Sequence, residues 1–177
     1  RQLEPSYRLP PPCGPNEYPV TNSFPTSSFP CRGGSRFAAL VVTLGLASGR
    51  VELASDHEAW AEAYRRERAR RLEAIAPRIL DVRHVGSTSV AGVPAKPILD
   101  ILIAVESFEE AVVCVEPMER LGYRYRGEHG VPRRHYFVKG DPRTHHVHVV
   151  ERASREWTAM VRFRALLTSD PEAARRL

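Results

Sequence analysis

Gly86 is followed directly by three hydroxyl side chains, Ser87, Thr88 and Ser89, and Asp100 comes fourteen residues after that glycine, within HVGSTSVAGVPAKPILDILIAV at 84–105. Glycine allows close backbone approach, and Ser offers a hydroxyl plus a backbone donor. Consecutive amides in such a turn form a concave anion site. A carboxylate beside it suits Mg²⁺, which combines one or two carboxylates with phosphate oxygens. Turn and Asp100 together would therefore clamp a phosphate chain and its metal. Taken alone, the turn reads more readily as a plain turn, and Asp100 equally as a buried acid paired with Arg or His. Lys96 stands between them, where an ammonium could reach a phosphate or stay solvated in a loop.

A second group lies in HHVHVVE at 145–151. His146 and His148 are two apart, so on a strand they share a face and His145 takes the other. With Asp100 they would make a mixed site for Zn²⁺, Mn²⁺ or Fe²⁺ more than for Mg²⁺. The alternative is a polar ladder pairing with Arg133 and Arg134. Arg133, Arg134 and Lys139 form a basic strand suited to a phosphate tail, or to ordinary solvation. His84 could orient a ligand or be a satisfied strand histidine. RRERARR at 65–71 lacks interleaved aromatics and any base-reading module, so it reads as a solvated helix face and not as a nucleic-acid interface.

These groups need elements to hold them. SDHE at 55–58 reads as a capping box of Ser55 and Glu58. It opens a helix through Trp60, Tyr64, Leu72 and Ile75, stopped by Pro77. RILDVRHV (78–85) predicts a strand, and ILDILIAV (98–105) a central one. A second box at Ser107 and Glu110 opens a helix disturbed by Pro117 and ended at Gly122. Strands follow at 134–139 and 145–151, then a helix at 154–167. DPEAARRL opens another, with Asp170 as cap and Pro171 at its first position. That helix is expected to be cut short by the end of the sequence. The pattern implies an α+β domain with a mixed sheet and flanking helices.

Residues 1–36 contain eight prolines with Ser, Gly and Asn, and show no helical or strand period. Residues 1–50 are therefore expected to be a disordered or loosely packed leader, with the domain at 51–177. The longest apolar run, 37–47, is too short to span a bilayer, and its flanks are not those of a signal peptide. Cys13, Cys31 and Cys114 form neither a disulfide framework nor a zinc motif, so a reducing, cytoplasmic setting is expected. The net charge of +5 rests on Arg, since Lys96 and Lys139 are the only lysines. It fits a nucleotide or another phosphorylated small molecule, or general Arg usage on a solvated surface.

The Gly-Ser turn followed by Asp in an apolar strand resembles the DNA polymerase β-like nucleotidyltransferase superfamily. More narrowly, RHVGSTSVAGVPAKPILDILIAV, RRHYFVK, HHVHVVE and FRALLTSDPEAA resemble the GrpB family, from Val51 onward. The resemblance implies a nucleotidyltransferase-like fold, a nucleotide substrate, a divalent metal (Mg, Mn or Zn) and a catalytic Asp100. GrpB-like domains also occur fused to dephospho-CoA kinase, which implies an accessory role beside a CoA-biosynthesis enzyme as an alternative. One departure is plain. Superfamily enzymes carry a second carboxylate two residues after the first, and Leu102 stands there. That favours a non-catalytic nucleotide- or phosphometabolite-binding domain as the other reading.

Overall fold

A computed structural model describes residues 44–47, 49–75 and 78–176, with the side chains of 71–73 excepted. All of them fall in the second of two compact units, Ala39–Leu177. The expected leader through residue 43, the helix stop at Pro77 and the packing of Leu72 lie outside the described residues.

Helix α1 spans His57–Ile75. Its cap is Asp56, whose Oδ1 accepts from the Ala59 amide at 3.4 Å. The expected Ser55–Glu58 box is thus shifted by one residue, because Asp caps as well as Ser and stands nearer the apolar run. Strand β1 (Asp81–Val85) leads through a single 3-10 turn, Ser87–Ser89, toward β2 (Leu99–Val105). Ser107 accepts from the Glu110 amide as a cap, and the chain continues as a 3-10 stretch, Glu110–Cys114, then α2 (Val115–Arg120). The helix disturbance expected at Pro117 is resolved by this change of helical type. Gly122, at φ +84°, turns the chain into β3 (Tyr123–Tyr125). Strands β4 (Arg134–Lys139) and β5 (His145–Glu151) follow, then α3 (Arg155–Ser169) capped by Ser154 and α4 (Pro171–Arg175) capped by Asp170.

The five strands form one mixed sheet in the order β1-β2-β5-β4-β3. β2 and β5 run parallel, and the other pairs antiparallel. The fold is therefore α+β, a mixed sheet with flanking helices. β2 is a nearly continuous apolar run, as burial on two faces requires, whereas β5 interleaves His145, His146 and His148 with Val147, Val149 and Val150. On one face Ile101, Ile103, Val147, Val149 and Phe137 pack with Ile75 of α1 and Met118 of α2. On the other, Leu102, Ala104, Val85 and Val150 pack on Trp157 of α3. That second cluster takes in Leu102 and Ala104 of β2 but stops short of Asp100. Asp100 is the only residue of β2 that is not buried.

Packing also extends N-terminal to Val51. Gly45 donates to Pro97 O at 2.9 Å and Leu46 to Arg143 O at 3.0 Å. Leu46 is buried, and Leu44 joins the Trp60–Leu99 cluster. β3 was not expected. Three residues are too few to show an alternating period.

Candidate functional site: the glycine turn and Asp100

The β1–β2 register pairs Val85 with Asp100, so the next residue, Gly86, turns over the carboxylate. Gly86 has φ +71°, and a Cβ there would lie 2.5 Å from Asp100 Oδ2. Both the backbone conformation and the space therefore demand glycine. The turn's hydroxyls divide their work. Ser89 Oγ donates to Gly86 O at 2.6 Å and closes the turn. Thr88 Oγ1 donates to Ile98 O at 3.3 Å, which leaves it to accept from His84 Nε2 at 3.0 Å. Ser87 is the one whose hydroxyl is not spent on the scaffold, and it lines a cleft of about 510 Å³.

His84 is a structural residue. Its ring stacks on Tyr64 with centroids 4.8 Å apart. Burial pushes its pKa down to about 4, helped by the Arg164 charge and opposed by Asp100.

The parallel β2–β5 register sets Asp100 beside His146 and Leu102 beside His148. All four share a face. His146 Nδ1 lies 3.0 Å from Asp100 Oδ1, and His148 Nε2 lies 3.8 Å from the same oxygen. Burial would raise the Asp100 pKa, but the hydrogen bonds from His146 and His148 outweigh it and hold it down at about 2. Asp100 is thus an anion at neutral pH, and His146 Nδ1 must donate to it. Behind His148, Arg134 Nη1 meets Nδ1 at 3.3 Å, and its guanidinium lies 4.9 Å from the Tyr136 ring centroid. Arg is always a donor, so His148 Nδ1 accepts and its proton sits on Nε2.

The cleft's polar side comprises Ser87, Asp100, His146, Lys96 and Arg175. Val93, Pro94, Ala95 and Ile98 supply an apolar wall. Lys96 is exposed, and no ion pair engages it among the described residues. The sequence reading missed Arg175. The Asp170 cap announced α4, but nothing local says that this helix returns to the Gly86 turn.

Three of the expected phosphate ligands, Arg133, Arg134 and Lys139, do not line this cleft. Arg133 is held by Glu109 at 2.7 Å and Glu151 at 2.8 Å, at the far end of β5 from His146. Lys139 is on the opposite face from Arg134, paired with Glu67 at 3.0 Å. The expected single basic face is not present, because strand alternation separates Arg134 from its neighbours. Arg134 itself is buried behind His148, donating to Glu128 O and His129 O.

Asp100, His146 and His148 do converge, yet their chemistry does not fit a metal centre. Leu102, where a second carboxylate would stand, is fully buried in the α3-side core. His148 has no spare lone pair, one nitrogen accepting from Arg134 and the other carrying a proton. Among the described residues, no group of three His, Cys, Asp or Glu side chains is arranged to hold a metal ion.

The profile of the GrpB protein family matches residues 50–177. The chain is 39% identical over 127 residues to the UPF0157 protein YqkA of Bacillus subtilis, covering 71% of this chain and 37% of that protein. It is 30% identical over 134 residues to the Glutamate-rich protein GrpB of Alkalihalophilus pseudofirmus, covering 72% and 77%. The crystal structure of the conserved protein GrpB from Enterococcus faecalis superposes with a TM-score of 0.67 at 35% identity, covering 71% of this chain and 77% of that one. The match takes in 37%, 53% and 62% of the first three curated relatives. With the profile spanning residues 50–177 and these relatives each covering about 70% of the sequence at 30–39% identity, the chain belongs to the GrpB family.

Proposed function

We propose that the cleft between the Gly86 turn and Asp100 binds the phosphate of a nucleotide or another phosphorylated small molecule and supports transfer of its phosphoryl or nucleotidyl group. The observation that carries this is the contact of Gly86 with Asp100: a glycine pressed against a strand carboxylate, with the Ser87 hydroxyl opening into the same cleft. It resembles the Gly-Ser turn and first strand carboxylate of the nucleotidyltransferase superfamily, without the second carboxylate. Ser87 donates to a phosphate oxygen. Lys96 and Arg175 supply charge from the rim, and the apolar wall receives the remainder of the ligand. No step is assigned to a metal.

A thermal-shift screen of nucleotides and phosphorylated metabolites tests it, since a specific ligand raises the melting temperature by mass action. A concentration-dependent rise that Ser87→Ala abolishes is the expected result. No shift with any phosphorylated compound counts against the reading.

Leu102 favours a second reading, a binding domain without catalysis. There the same ligands would raise the melting temperature and remain intact on prolonged incubation.

A further inference from the structure

His146 holds a feature that the phosphate reading does not use. Its Nε2 is buried and has no hydrogen-bond partner among the described residues. A neutral imidazole whose Nδ1–H donates to a carboxylate carries its lone pair on Nε2. Buried acceptors are seldom left unpaired, and one that is calls for an explanation. The same residue lines the cleft. A donor supplied by a ligand would satisfy it.

We infer that Asp100 and His146 form a metal-free dyad, in which Asp100 fixes the imidazole and His146 Nε2 receives the proton of a hydroxyl-bearing acceptor or of water bound in the cleft. The inference rests on the cleft being a phosphate-ester site, and it gives that site a second substrate class. Three features carry it. The parallel register puts the two residues side by side, at 3.0 Å, so the tautomer is imposed by the sheet itself. His148 is locked in the opposite tautomer by Arg134 and backs the same carboxylate oxygen, which keeps Asp100 from turning away. The side chain that would complete a paired-carboxylate metal site is Leu102, so an imidazole base takes the role that activation by an ion would otherwise have. In the step, the hydroxyl O–H bond breaks and its proton passes to Nε2. The oxygen's electron pair forms the new bond to phosphorus. The P–O bond opposite the attacking oxygen breaks, and its electron pair leaves on the alcohol or phosphate oxygen formerly bound to that phosphorus.

Long-range ¹H–¹⁵N spectra of the full chain at neutral pH test the dyad directly. His146 is expected to carry its proton on Nδ1 and His148 on Nε2. Asp100→Ala is expected to release His146 into a mixture of tautomers while the amide spectrum stays dispersed. Wild-type His146 protonated on Nε2 overturns the inference, and this arm needs no variant that must fold. Titration with Zn²⁺ is the second arm. No saturable perturbation of the two rings is expected, and stoichiometric binding lost in Asp100→Ala would restore a metal centre and overturn the dyad. Inorganic phosphate is the third probe. Failure to shift the Ser87 amide contradicts the phosphate cleft, whereas the dyad stands or falls on the tautomers.

Discussion

At the scale of single residues, two positions report on the site without any ligand. Gly86 has both a left-handed backbone and no room for a Cβ. Gly86→Ala should destabilise the protein by about 2–4 kcal/mol, combining backbone strain with displacement of Asp100. Because the collision is with the carboxylate, Gly86→Ala with Asp100→Ala should cost less than the sum of the two, read by urea denaturation. Strict additivity would mean that the glycine turn and Asp100 do not touch. His84 gives a pH signature. Its folded pKa is about 4, below the ordinary 6.5, so between these values the unfolded chain binds a proton that the folded chain refuses. Stability should therefore fall as pH drops from about 7 toward 4, by up to about 3 kcal/mol, and His84→Gln should remove that slope. The Asp100 contribution runs in a separate window. It is present above about pH 4 and is lost as pH falls toward 2. An unchanged slope in His84→Gln would show that the imidazole is not the group resisting protonation.

At the scale of elements, four of the five strands were legible because each is a bounded apolar run or an alternating one. β3 was not, being three residues long. Helix caps were legible to within one residue. Asp170 caps α4 as expected, and Ser154, expected as the first residue of α3, is its cap, while Asp56 displaced Ser55 because two good caps stood side by side. The last residues of the expected leader, 44–47, pack against the domain. Leu44 and Leu46 sit in an apolar run that composition alone assigned to the leader, and only the bridge to Arg143 shows that they are used. A chain beginning at Leu44 should be more stable than one beginning at Val51 by about 1–3 kcal/mol, the worth of one buried leucine and two hydrogen bonds after ordering costs. Equal melting temperatures of the two would show that residues 44–50 add nothing to the core.

At the scale of the whole molecule, the site was half legible. Ser87, Thr88, Lys96, Asp100 and His146 were named from residue type and spacing, and one cleft brings them together. Strand order decided the rest. The parallel pairing of β2 with β5 makes neighbours of residues 46 positions apart, and no local pattern encodes it. The same topology puts Arg133 at the wrong end of the sheet and Lys139 on the wrong face, and brings Arg175 from the end of the described chain to the rim. The site's polar groups thus come from three separate stretches of sequence, and the sheet aligns them. The central claim is that this convergence binds a phosphate. Calorimetric titration with the phosphorylated compound that most raises the melting temperature, against wild type and Ser87→Ala, tests it most directly. Loss of a charge-assisted hydrogen bond should weaken binding by about 1–3 kcal/mol, roughly 5- to 150-fold, with the fold intact. Equal affinity in the two proteins would contradict the account.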